Sequence, residues 1–140
     1  MSAPSLEALL RHREPMLLLT GVIETGPTHA VVEVRIDERA SFFQAPEGVP
    51  AWVGIEYMAQ AVAVLAGSQA TDEGGGAPLG YLLGTRSYRC EVPWFTAGTT
   101  LRVRCEEQLF DDNGLGVYAC AIDAERPLAE ARLTVYRKAK

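Results

Sequence analysis

Glu56 and Gln60 stand four residues apart inside GVPAWVGIEYMAQAVAVLAG, residues 48–67, a run that is otherwise apolar. On a helix that spacing puts both side chains on one face, about 40° apart. A carboxylate enclosed by apolar neighbours loses hydration, and such a group suits general acid–base work near neutral pH. Gln60 could position that carboxylate or a water. The structural alternative is a Glu56 that reaches a rim or pairs with an arginine such as Arg86, with Gln60 satisfying nearby backbone. Just before them, Ala51, Trp52 and Val53 would open the helix with backbone N–H groups at its positive end. Those groups could polarise a carbonyl laid over them, as an oxyanion hole does.

The remaining reactive residue types are sparse. The two histidines, His12 and His29, both lie far from Glu56 in sequence; His12 is kept as a candidate site residue, and His29 reads as structural. Cys90, Cys105 and Cys120 are odd in number and lack C-x-x-C spacing, so they read as reduced, buried small hydrophobes rather than a disulfide frame. With two scattered histidines they make no metal-site pattern, and no metal or cofactor is expected. There is no G-x-S-x-G, no paired H-x-x-x-H and no phosphate loop; the TDEGGGAPLG connector is acidic and no G-K-[ST] follows it.

The elements that must position Glu56 follow from hydrophobic period. Residues 51–69 show no period-2 alternation, and Ala and Met are plentiful, which predicts a helix about 28 Å long. It is apolar nearly all round, so the fold must enclose it. A short helix capped by Ser5 is predicted near the start, then an apolar strand over 16–24 and an alternating one over 30–37. Residues 41–50 read as a loop. After the helix come strands over 81–89, around 101–106, over 117–122 and over 128–136, with a hairpin turn at DDNG. Residues 129, 131, 133 and 135 should face inward. One greasy helix with about six antiparallel strands predicts a single α+β domain over 1–140, its sheet wrapped around the helix. Edge strands and a partly uncovered helix flank would favour pairing two such units.

The chain has 140 residues, enough for one domain with a real core. A net charge of -5 argues against a nucleic-acid partner. Pro50, Glu56 and Gln60 interrupt the apolar run, so no membrane span is expected. MSAPSLEALLRHREPM has no basic segment leading an apolar core, and with the unpaired cysteines this predicts a cytoplasmic protein.

Several stretches resemble one family in order along the chain. LLRHREPMLLLTGVIE, then SFFQ, IEYMAQA, LGYLLGTRSYRCEVPWFTAGTTLRV and LAEARLTVY are similar to successive segments of bacterial 3-hydroxyacyl-acyl-carrier-protein dehydratases. GVPAWVGIEYMAQA with LLGTR resembles most the ApeP-like dehydratases of aryl polyene biosynthesis clusters. The resemblance implies a hotdog fold, a long helix wrapped by an antiparallel sheet, and assembly as a homodimer or a heterodimer with another hotdog subunit. It implies an acyl thioester on acyl carrier protein as partner, in fatty acid, polyketide or aryl polyene chemistry. It places Glu56 on the family's catalytic carboxylate, Gln60 on its glutamine one turn later, and Ala51 on a glycine whose N–H faces the thioester carbonyl. His12 matches an N-terminal histidine with no catalytic part. The family's Gly-His-Phe-Pro segment, source of the catalytic base, is replaced by a shorter SFFQAPEGVP without histidine.

Three readings stand: a dehydratase subunit completed by a histidine-bearing partner, a hotdog thioesterase using Glu56 alone, and a non-catalytic acyl-binding or scaffolding subunit. Docking an acidic carrier protein would need a basic patch, for which Arg86, Arg89 and Arg102 are candidates.

Overall fold

The computed structural model describes residues 17–72 and 80–137, with backbone alone at 71–72, 80–86 and 137. The helix predicted near Ser5 lies outside the described residues. Strands β1 (Gly21–Thr25) and β2 (His29–Arg35) form an antiparallel pair. A short strand β3 (Gly48–Pro50) leads through a 3₁₀ turn (Ala51–Val53) into helix α1 (Gly54–Asp72). Strands β4 (Gly80–Cys90), β5 (Trp94–Thr96), β6 (Thr100–Phe110), β7 (Leu115–Asp123) and β8 (Pro127–Arg137) follow.

Six of these strands make one antiparallel sheet in the order β1-β2-β6-β7-β8-β4. Its inner face holds α1, which packs against β6, β2 and β7 and touches β4 and β8. This is the hotdog arrangement. Strict alternation drives it: Leu101, Val103 and Cys105 on β6 are buried while Arg102, Arg104 and Glu106 are exposed. On β8, Ala129, Ala131, Leu133 and Val135 line the same inner face. The turn at 111–114 closes the β6–β7 hairpin, with Asp111 Oδ1 accepting from the N–H groups of Asn113 and Leu115 at 2.9 Å each.

Registers bring Ala30, Cys105, Cys120 and Ala131 into one row across β2, β6, β7 and β8. Small side chains there let the helix approach the sheet closely, which gives the two cysteines a packing role. Burial pushes the Cys105 thiol up to about 12 and raises Cys120 further, so both stay protonated and chemically quiet at ordinary pH.

Two elements, β3 and β5, were not legible in the sequence. The segment at 41–50, expected as loop, ends in β3, which pairs with β5 as a separate two-stranded ribbon. Gly48 makes this ribbon fit: its φ is +135°, and a Cβ there would collide with the Phe95 backbone carbonyl. The ribbon sits at the entrance of α1 and fixes where the helix begins.

Candidate active site

The helix entrance is built from the ribbon outward. Pro50 pairs with Trp94, and one residue later the Ala51 N–H donates to the Pro93 carbonyl at 3.0 Å. The Ala51 carbonyl accepts the Tyr88 hydroxyl at 2.6 Å. Beneath the first turn lies Phe95, fully buried, with the Tyr57 ring 5.9 Å away. Both faces of Ala51 are thus held. The Ala51 N–H, expected to face a thioester carbonyl, is occupied by Pro93, so Trp52 and Val53 carry the donors of this turn. Among the described residues no turn or loop carbonyl accepts the Trp52 N–H, as expected for the opening turn of a helix.

Glu56 lies one turn into this entrance and is half-buried, not enclosed as its apolar neighbours in sequence led us to expect. The reason is the sheet, which covers α1 from one side. It covers the flank of α1 carrying Tyr57, Met58, Ala61, Val64 and Leu65, and leaves a second flank open. Trp52, Ile55, Glu56, Ala59 and Ala63 recur at helical spacing there, and none is fully buried. Among the described residues no cation lies within ion-pair reach of Glu56; the side chain of Arg86 is outside them.

Gln60 is 1% exposed, and its Oε1 accepts the Leu18 N–H at 2.9 Å. It ties the segment before β1 to the helix, a bond of the kind the structural alternative describes, and it lies one turn beyond Glu56. His12 is outside the described residues. His29 opens β2 and its Nε2 is 2.7 Å from Glu24 Oε2. It neighbours Pro27, whose carbonyl accepts from Gln69 at 3.0 Å near the far end of α1. Gln69 is thirteen residues beyond Glu56, about 20 Å along the axis. No imidazole among the described residues can therefore serve Glu56.

Sequence inspection missed an aromatic pair. Phe42, in the segment that shortens the family's histidine loop, has φ +68° and is 51% exposed. Its ring stands edge-on to Trp52, which is 59% exposed, with centroids 5.4 Å apart. A left-handed backbone at a bulky residue costs about 1–3 kcal/mol and clusters where structure serves function. Of the arginines offered for carrier docking, two can be placed, and the side chain of Arg86 is outside the described residues. Arg89 pairs with Glu130 at 3.2 Å, and Arg102 lies in register between Glu33 and Asp123.

Comparison with known proteins places this geometry. The profile of the family described as ApeP-like, ApeP dehydratase, matches residues 4–140. The chain belongs to the ApeP-like dehydratase family. Consistent with that family, a chain from the solved dehydratase heterocomplex ApeI:P of Xenorhabdus doucetiae is 30% identical, with TM-score 0.91 over 99% of this chain and 94% of that one. The E. coli PaaI protein of the phenylacetic acid degradation operon has TM-score 0.65 at 18% identity, over 84% of this chain and 78% of that one. A hypothetical thioesterase from Streptococcus pneumoniae, solved with coenzyme A, has TM-score 0.67 at 13% identity and 85% coverage of both chains. These two share the fold. No curated protein sequence matches the chain. Within this ApeP-like protein, no helix among the described residues is long and apolar enough to cross a membrane. No group of three His, Cys, Asp or Glu side chains among them could hold a metal ion.

Proposed function

We propose that this ApeP-like chain is one half of a composite dehydratase that removes water from 3-hydroxyacyl thioesters carried on acyl carrier protein. The observation that carries the reading is Glu56 on a half-open helix flank, at a polarising helix start, with no histidine in reach among the described residues. In this scheme a histidine-bearing hotdog partner covers the flank and supplies the base. That base takes the proton from C2, beside the thioester. Glu56 protonates the hydroxyl on C3, the C3–O bond breaks, the C2=C3 double bond forms and water leaves. The backbone N–H of the first turn holds the carbonyl oxygen as negative charge develops on it. Both groups then reset by proton exchange with solvent.

Three further facts support an assembled state. The similar solved chain comes from a dehydratase heterocomplex. Strand β4 ends the sheet, with no neighbour on its outer side among the described residues. The Phe42–Trp52 pair stands exposed beside Glu56, the residue types that anchor interfaces.

Product identity tests the reaction. When this chain is mixed with such a partner and a 3-hydroxyacyl thioester, the expected product is the conjugated enoyl thioester, seen by ultraviolet absorbance and mass spectrometry, with no free thiol. Thiol release in place of an enoyl product would assign a thioesterase instead.

A further inference from the structure

Tyr88 reaches the start of α1 from a strand position that should have turned it away. In β4, Arg86 pairs with Arg132 and Arg89 with Glu130, so three steps on β4 oppose two on β8. Arg132 and Glu130 are both exposed, so regular alternation would send residue 88 outward with residue 86. The extra residue of this bulge, with Ser87 at φ +56°, reverses the direction and delivers Tyr88 inward. Bulges of this kind re-aim side chains beside functional sites. The helix makes room for it: at Gly54 a Cβ would collide with the Tyr88 hydroxyl and press on Phe95 and Ile122 at 3.0 and 3.1 Å.

The hydroxyl so delivered donates to the Ala51 carbonyl at 2.6 Å, a short bond for a neutral pair. Burial, with Cys90 and Tyr57 nearby, pushes the phenol up, so it keeps its proton and remains a donor at any working pH. The same carbonyl also accepts a backbone N–H at the Gly54 junction. The Ala51 carbonyl and the Trp52 N–H belong to one peptide unit. A hydrogen bond accepted at the oxygen withdraws electrons from the nitrogen and makes its N–H a stronger donor. The bonds accepted at the Ala51 oxygen hold that peptide plane, and the Ala51 N–H on Pro93 holds the plane before it.

We propose that Tyr88 is a positioning residue for thioester binding: through the Ala51 carbonyl it orients and polarises the Trp52 N–H that receives the thioester carbonyl. The inference rests on the reading that an acyl thioester lies over this helix start beside Glu56. Tyr88 does not touch substrate; its effect passes through one peptide group.

The test uses the assembled complex of this chain with its histidine-bearing partner. The probe is crotonyl N-acetylcysteamine thioester labelled with carbon-13 at the carbonyl, and the reading is the carbonyl stretch of the bound probe by difference infrared spectroscopy. Bound to the native complex, the stretch should lie below its value in buffer. Tyr88→Phe, which keeps the ring and removes the hydroxyl, should return it at least halfway toward that value. Turnover of the matching 3-hydroxybutyryl thioester should fall about 5- to 20-fold in kcat with KM within twofold, less than loss of a direct oxyanion donor. Difluorotyrosine at position 88, a stronger donor of nearly the same shape, should lower the stretch further. A packing role alone would move stability and leave the stretch unchanged. An unshifted stretch in Tyr88→Phe, or a change confined to KM, overturns the proposal. Glu56→Gln separates the two levels: if it is inactive while Tyr88→Phe behaves as native, only the Tyr88 inference falls. If Glu56→Gln is fully active, the reading of Glu56 as the dehydratase's acid falls, and the bound-state stretch still decides the role of Tyr88.

Discussion

Glu56→Gln in the assembled complex should lower kcat for water loss by about 100-fold or more, the range a positioned general acid supplies. Glutamine has nearly the same shape and keeps hydrogen bonding, but it has no proton to give the departing hydroxyl. Glu56 is half-buried and has no ion-pair partner among the described residues. Its replacement should therefore move the thermal stability of the free chain by no more than about 0.5 kcal/mol, as for a surface position. KM should change little, because the lost interaction strengthens as the C3–O bond breaks. The kcat and KM of the two complexes, with the melting temperatures of the two free chains, check all three points together. A scaffold subunit would show native kcat.

The second large effect belongs to the interface. Trp52→Ala should weaken binding of the hotdog partner by at least about 30-fold, the roughly 2 kcal/mol typical of an aromatic hot spot. Trp52 is 59% exposed and Phe42 51% exposed in the isolated chain, so removing the indole leaves little cavity in the core. The loss should appear in association measured by sedimentation or calorimetry, with only a small change in the melting temperature of the free chain. Phe42 should show a different signature. Phe42→Gly removes the ring and also relieves the left-handed backbone at φ +68°, so the free chain should gain stability while partner affinity falls. Equal affinity for native and Trp52→Ala chains would place the interface elsewhere.

The sheet was legible in the sequence because alternation is a local signal: Leu101, Val103 and Cys105 against Arg102, Arg104 and Glu106 gave β6 its faces at once. The helix was legible for the opposite reason, an unbroken apolar run of helix formers too long for a strand. Its enclosure was overstated, because periodicity cannot tell a flank covered by the chain's own sheet from one left for another subunit. Ala59 and Ala63 look like core in the sequence and lie on the open flank in the fold. Residues 51–53 were legible as the helix start, where the structure has a 3₁₀ turn, but their hydrogen bonds were not readable. Nothing in PAWVG announces that Pro93 takes the Ala51 N–H, since that contact is made across the β3–β5 ribbon. Tyr88 was invisible for a related reason. Its inward direction depends on a bulge and a left-handed Ser87, whereas plain alternation in GTRSYRC assigns it to solvent. The missing histidine was legible, and that absence shapes the functional account more than any residue present.

The central claim is that neither subunit alone holds a complete site. Dehydration of one 3-hydroxyacyl thioester should be measured with this chain alone, with the histidine-bearing hotdog partner alone, and with the two mixed in equal amounts. The account predicts enoyl product only in the mixture, and none when Glu56→Gln replaces the native chain. Full turnover by the partner alone, unchanged on adding this chain, would contradict it.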